Sequence, residues 1–184
     1  MDQNIDFELI KRFINGDEIS FNKIIDKYKD KIYWHARRMT GNHLDADEIV
    51  QEVLFVVYKN LKNFQFKSSL YTWIYKITST RSLNFLKRRK IKELLSLEEQ
   101  SEKLHKSSND ILDNIETKEK LEMVDRVLQT LPSKQREVFI MRNYENLTYK
   151  EIAEITGKSV GALKSNYFHS MKKIIEKLKE NENR

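Results

Sequence analysis

Four carboxylates, Asp45, Asp47, Glu48 and Glu52, crowd into eight residues that hold no base, which suggests either a divalent cation or a basic protein partner. A hard cation needs about six or more oxygens converging on one point, whereas acids spread over two helical turns mostly diverge. Metal-assisted cleavage of nucleic acid by these acids is therefore the weaker expectation, and it would show as metal dependence. Two readings remain side by side. The acids form a solvated helix start favoured by the helix dipole, or, with Gln51 beside them, a patch that docks on a basic partner.

The opposite chemistry follows at once. From Val53 to Lys92 there is no acid, but there are ten Lys or Arg and eight aromatics: Phe55, Tyr58, Phe64, Phe66, Tyr71, Trp73, Tyr75 and Phe85. Exposed rings beside cations are what unpaired bases require, because every base has a stacking face and every nucleotide a phosphate. The stretch Phe64-Gln-Phe-Lys-Ser-Ser-Leu70 sets two rings and Lys67 between helices, where hiding both rings is difficult. Lys87, Arg88, Arg89 and Lys90 cannot all point one way on a helix, so they suit phosphate neutralisation and not base reading. The plainer alternatives are core packing for Trp73, Ile74 and Ile77 and a solubilising surface for the basic run.

A third pattern lies near the end. Thr148-Tyr-Lys-Glu151 has capping-box spacing and opens a short helix with Ile152, Ala153 and Ile155. Gly157 suits a turn of positive φ, Ser159 can cap the next helix, and Val160, Leu163, Tyr167 and Ile174 give that helix an inward stripe. This is a helix-turn-helix. Gly161, Ala162, Lys164, Ser165, Phe168 and His169 then face outward, the small ones permitting close approach to a major groove and Lys164, Ser165 and His169 reaching phosphates or base edges. The alternative is an αα-hairpin whose Lys and His merely face solvent. His169 has no second metal ligand among its neighbours.

These groups need elements to hold them. The 184 residues include no Cys, one Pro and four Gly, which excludes disulfide scaffolds, zinc fingers and thiolate enzymes and leaves little material for the tight turns of sheets. An all-α fold is expected. The longest apolar run, Val53 to Val57, falls far short of the roughly 20 residues that cross a bilayer. No membrane insertion is expected, and the acidic start MDQNIDFELIKRF does not resemble a signal peptide, so the expected location is cytoplasmic. The net charge of +6 divides into +6 over residues 1–90, −4 over 91–117 and +4 over 118–184, two basic blocks around an acidic one. The middle block has no aromatic residue and reads as a flexible linker.

Apolar spacing predicts four helices in the first block. One carries Phe7 to Ile14; a second runs from Phe21 to about Met39 before Thr40-Gly41; a third is capped by Asp45 and bears Ile49, Val53 and Leu61. A loop near 63–69 precedes the fourth, which holds Trp73, Ile74, Ile77, Leu83 and Leu86. In the last block a helix from Leu121 to Leu131 ends at Pro132, and Val138, Phe139 and Met141 belong to the next.

Taken together, these residues resemble a known family. Asn15-Gly-Asp-Glu-Ile-Ser-Phe21 through Tyr28, Asp45-Ala-Asp-Glu-Ile-Val-Gln-Glu52, Phe64 with Ser68-Ser-Leu-Tyr-Thr-Trp-Ile74, and Lys87 to Lys90 are similar to region two of a group IV, extracytoplasmic-function (ECF) sigma factor of bacterial RNA polymerase. Leu131-Pro132, Arg136, Val138-Phe139, Glu151-Ile-Ala153 and Ser159-Val-Gly-Ala-Leu-Lys-Ser165 are similar to region four. The resemblance implies two small helical domains, 1–90 and 118–184, joined by the linker 91–117, and no enzymatic activity or cofactor.

It also implies partners and roles. Asp45, Asp47, Glu48, Gln51 and Glu52 would dock on a coiled coil of the β′ subunit of core polymerase, with β as a further contact. Phe64, Lys67, Ser68, Ser69, Leu70, Thr72, Trp73, Lys76, Thr80, Arg81, Lys87, Arg88 and Arg89 would face the minus-ten element, capturing a flipped base as the duplex melts. Thr148, Tyr149, Lys158, Ser159, Gly161, Ala162, Lys164, Ser165, Phe168 and His169 would read the minus-35 element, while the linker threads toward the RNA exit path. The sequence departs from the family at Thr80, Asn84 and Asn166, where Asn, Asp and Arg are frequent. The first two lie near the melting surface, and Asn166 lacks one phosphate contact. With no further domain after Arg184, signal sensing is expected in a separate protein, an anti-sigma factor. A dimeric helix-turn-helix regulator would explain residues 118–184 and leave the acidic helix and the aromatic loop without a role.

Overall fold

A computed structural model describes residues 2–96 and 124–182, and those residues form helices joined by short connections. Four helices make the N-terminal unit: α1 (Asp2–Ile14), α2 (Glu18–Thr40), α3 (His43–Leu61) and α4 (Leu70–Ser96). Residues 124–130 form α5, followed by α6 (Ser133–Asn143), α7 (Tyr149–Thr156) and α8 (Val160–Glu182). Helix α4 continues through Ser96, and residues 97–117 of the expected linker, like Leu121, lie outside the described residues.

Local chemistry sets the helix ends. Asp17 caps α2 by accepting from the Ile19 and Ser20 amides, and Gly41, at φ +75°, closes it by donating to the Arg37 carbonyl. Helix α3 begins at His43 and not at Asp45: Asn42 is its cap, and its side chain accepts from the Asp45 amide. The spacing of Asp45 and Glu48 suggested a capping box, but Asn42 reaches the free amide first. Ser69 caps α4 by accepting from the Thr72 amide, and Pro132 precedes α6.

The N-terminal core is contributed by all four helices: Ile10 and Phe13, Ile24, Tyr28 and Ile32, Ile49, Val53, Val57 and Leu61, then Leu70 and Ile74. Each such side chain contributes about 1.5–3 kcal/mol by leaving water. The C-terminal helices do not form a separate ball. Val127, Leu128, Leu131, Phe139 and Ile140 share a cluster with Met39, Leu83 and Leu86, while Tyr75 sits among Val138, Met141, Leu147, Ile152 and Leu163. The two units therefore meet along a joint, with α6 on α2 and α7 on α4.

A polar seam runs through this joint. Arg136 donates to the carbonyls of Met39, Gln129 and Leu131 at the ends of α2 and α5, so the guanidinium sits where helix dipoles favour a cation. Burial lowers its pKa to about 10, with Arg89 adding to the effect. Ser79 of α4 donates to Glu137 of α6, and Gln129 donates to the Arg38 carbonyl at 3.0 Å. His35 of α2 pairs with Glu145 at 2.7 Å, and Arg38 stacks 4.0 Å over the Tyr144 ring.

Candidate nucleic-acid interface

Helix periodicity splits the acidic cluster in two. Asp45 pairs with Arg89 at 2.9 Å, and Glu52 pairs with Arg88 at 2.9 Å and lies 3.7 Å from Arg81. These pairs bind α3 to α4, so Asp45 and Glu52 face α4, and Arg81, Arg88 and Arg89 are partly neutralised. The reason is angular: at about 100° per residue, Asp45 and Glu52 project roughly a quarter turn from Glu48 and Gln51. Glu48 and Gln51 are exposed, and Asp47 lies 3.5 Å from His43. Leu44 and Phe55, 74% and 58% exposed, complete a stripe at 44, 48, 51 and 55. Sequence reasoning passed over Leu44 and grouped Phe55 with the aromatic stretch that follows; their spacing from Glu48 and Gln51 is the signal that joins them to this stripe.

The aromatic loop is built differently from the expectation. Phe64 is 7% exposed, packed edge-on against Phe66 and Trp73, and Leu70 is fully buried. Both are supports, because α1 sends Phe7 beneath the loop, 5.0 Å from Phe66, and gives the rings a cover that the loop sequence alone does not show. Phe66, at φ +56°, is the more exposed ring. Beside the loop opens a cavity of about 440 Å³ lined by Asn60, Asn63, Gln65, Lys67, Ser68 and Trp73, with Val56, Phe64 and Ile77 as its apolar floor. An apolar floor with amides, a hydroxyl and an ammonium at the rim matches the chemistry of one nucleobase.

Along α4 the faces divide by burial. Thr72 is half-buried and Lys76, Thr80 and Lys87 are exposed on the side that continues from the cavity, and Ser69 holds Thr72 through its hydroxyl at 2.9 Å. Tyr75 and Ser79 are buried toward the C-terminal unit, and Ser82 is buried as well. Burial and the neighbouring Glu145 charge push the Tyr71 phenol up to about 12, and Tyr75 rises further for the same reasons. Both stay protonated and act as packing groups.

The helix-turn-helix geometry is complete. Thr148 and Glu151 form the capping box, Gly157 ends α7 at φ +69°, and the Ser159 hydroxyl accepts from the Ala162 amide. Leu163 is fully buried and Tyr167 packs on Phe139, which leaves Gly161, Ala162, Lys164, Ser165, Phe168 and His169 exposed along α8. Tyr149 is half-buried under Arg142, and Lys158 is tied to the buried Glu137 at 2.9 Å. Among the described residues, no three His, Asp or Glu side chains converge as a metal site would require.

Two surfaces thus stand out, the cavity beside Trp73 and the exposed start of α8. Residues 24–91 match the family described as Sigma-70 region 2, and residues 121–174 match Sigma-70, region 4. The chain belongs to the sigma-70 family. It is 29% identical over 178 residues to the ECF RNA polymerase sigma factor SigW of Bacillus subtilis, covering 93% of this chain and 95% of that protein. It is 28% identical over 186 residues to the ECF RNA polymerase sigma-E factor of Escherichia coli K12, covering 96% of each.

The fold is also similar to solved structures. One is the sigma factor RpoE in complex with the anti-sigma factor NepR from Bartonella quintana, at TM-score 0.69 and 22% identity, covering 86% of this chain and 96% of that one. Another is CnrH in complex with the cytosolic domain of CnrY, at TM-score 0.70 and 16% identity, covering 96% and 98%. The protein is an ECF sigma factor and acts in transcription initiation, not as an enzyme. Among the described residues, no helix of this sigma factor is long and apolar enough to cross a membrane.

Proposed function

We propose that this sigma factor docks on core polymerase through the stripe Leu44, Glu48, Gln51 and Phe55, with Asp47 at its edge, and carries promoter reading on two separate surfaces. Apolar residues at both ends of a short acidic stripe supply desolvated contacts, and the acids supply orientation against a basic coiled coil of β′, with β as a second contact. The minus-ten surface is the cavity beside Trp73 with Lys67, Ser68, Thr72, Lys76, Thr80 and Lys87 continuing from it. Phe64 and Leu70 hold the cavity floor and do not themselves stack on a base. Arg81, Arg88 and Arg89 sit at the α3–α4 seam, where Glu52 and Asp45 partly offset their charge and leave guanidinium donors for phosphates.

The minus-35 surface is the start of α8. Gly161 and Ala162 admit the helix to the major groove, Lys164, Ser165 and His169 contact phosphates or base edges, and Phe168 offers an apolar face to a thymine methyl. Thr148, Tyr149, Lys158 and Ser159 flank it at the phosphate backbone. Each surface contributes part of the affinity, and tethering raises the effective concentration of the second contact. The partners of this reading are core polymerase, duplex and melted promoter DNA, and an anti-sigma factor of the kind bound by the sigma factors it resembles. The location that follows is cytoplasmic.

The observation that carries this reading is the cavity itself, roomy enough to admit one base, with the Trp73 ring among its lining residues. In vitro transcription with core polymerase tests it. Initiation from a cognate promoter is expected, and Trp73→Ala is expected to slow open-complex formation at least tenfold while leaving polymerase binding intact. Unchanged strand opening in a folded Trp73→Ala protein would contradict the assignment.

A further inference from the structure

Promoter reading as proposed above requires the two units to stand far apart, and in this structure they touch. Elements named for positions ten and 35 lie about 25 base pairs apart, about 85 Å at 3.4 Å per pair. The 27 residues between Ser96 and residue 124 could span at most about 97 Å, so the chain is long enough for both sites to be occupied. Occupying both nevertheless means breaking the joint, with its buried Tyr75, Met39 and Leu128 and its polar seam. Closed and reading states are therefore different conformations of one chain.

The contacts at the joint show what holds it shut. His35 is fully buried, and its Nδ1 lies 2.7 Å from Oε1 of Glu145, a residue 110 positions away in the other unit. An ionised carboxylate only accepts, so Nδ1 is the donor. Neither Nε2 of His35 nor Oε2 of Glu145 has a protein partner in the closed form. Burying a charge pair with an unmet group at each end carries a desolvation penalty that offsets much of its attraction, so such a pair holds weakly and gains water when it opens. The titratable and charged groups around the imidazole are Arg38, Lys31 and Asp30 from its own helix, Tyr71 and Tyr75 from α4, and Tyr144 and Glu145 from the loop that follows α6, which line one cavity with it, and Glu137 from α6.

We propose that the joint is an autoinhibitory latch whose proton-sensitive element is the His35–Glu145 pair, so that the free sigma factor is held closed when His35 is protonated and loosens when it is not. The direction follows from the surroundings. Burial alone pushes the imidazole pKa down, but the charge and hydrogen bond of Glu145, with Glu137 behind it, outweigh burial and Arg38 and leave it raised above 6.5. The closed form therefore binds a proton that the open form releases. Its advantage is fully present below pH 6.5, the ordinary value, and is lost as pH rises through the raised one.

The chain has no cysteine, so Lys59→Cys on α3 and Lys173→Cys on α8 give two unique dye positions for energy transfer across the joint of the full chain. High transfer is expected at pH 6, falling toward pH 9, with the closed-to-open ratio dropping by up to about tenfold per pH unit for one linked proton. Glu145→Gln is expected to reduce transfer at pH 6 and to flatten the pH dependence. Arg38→Gln removes the stacking on Tyr144 and a charge that opposes protonation of His35 but leaves the pair, so it is expected to reduce transfer at pH 6 while keeping the slope and moving the transition to higher pH. Circular dichroism on each variant separates opening from unfolding. Low transfer at every pH in the unmodified sequence, a change of opposite sign, or a Glu145→Gln profile that overlays the original would overturn the latch. No polymerase or promoter enters this measurement, so its failure leaves the transcription assay untouched, and failure of that assay leaves the latch standing.

Discussion

Individual side chains in this sigma factor are defined by which side of a helix they occupy more than by what they are. Asp45, Glu48 and Glu52 are near neighbours in sequence, yet Asp45 and Glu52 are held by Arg89 and Arg88 while Glu48 stands free beside Gln51. Charge reversal at Glu48, as Glu48→Lys, or Gln51→Arg is therefore expected to weaken core-polymerase binding at least tenfold, about 1.4 kcal/mol, in a fluorescence titration. Glu52→Gln is expected to change that affinity less than twofold and to lower the melting temperature slightly, because it frees Arg88 and Arg81 at the α3–α4 seam. Equal losses from Glu48→Lys and Glu52→Gln would place the docking surface elsewhere. Arg136 makes the same point in the core: a family-typical residue, its specific contribution is to gather the carbonyls of Met39, Gln129 and Leu131, which no flexible ammonium would span in the same way.

At the scale of elements, punctuation was the part of the fold most readable in the sequence. Gly41 and Gly157 end helices at positive φ, and Thr148 with Glu151 forms the capping box their spacing announced. A methyl group placed on Gly157 would meet nothing within 4 Å, so Gly157→Ala should cost only backbone strain, about 1 kcal/mol, in a denaturant titration. Asp17 at the start of α2 is also a cap, and its carboxyl pKa is lowered by hydrogen bonds from Ser20 and by Arg12, which together outweigh the opposing effect of desolvation. A lowered acid stabilises the fold above its ordinary pKa near 3.8 and loses that contribution as pH falls through the folded value. Asp17→Ala should thus melt lower than the original at pH 7, with the two melting curves converging as pH drops toward 2. What the sequence hid has physical reasons. Asn42 outcompetes Asp45 for a cap because it lies one turn earlier, Phe64 is covered by a ring from α1 more than fifty residues away, and α4 carries apolar residues on two faces, so a single stripe could not reveal that Tyr75, Leu83 and Leu86 belong to a second contact.

For the whole molecule, the balance of charge matters as a distribution. Cations on the outer face of α4 and along α8 make promoter binding a process that releases counterions, so affinity falls steeply with salt. Lys164→Ala should weaken holoenzyme binding to all duplexes alike and make the slope of log affinity against log salt shallower by about one, as measured by anisotropy at several salt concentrations. The joint between the units adds a second dependence. Opening it exposes Met39, Tyr75, Leu83, Leu86, Leu128 and Val138 to water, and hydration of apolar surface carries a positive heat capacity. A switch of that kind has a temperature of greatest closure and loosens on either side of it. The same packing that shuts this sigma factor therefore makes its readiness to engage a promoter respond to cold and to heat, with no sensor beyond its own interior surface.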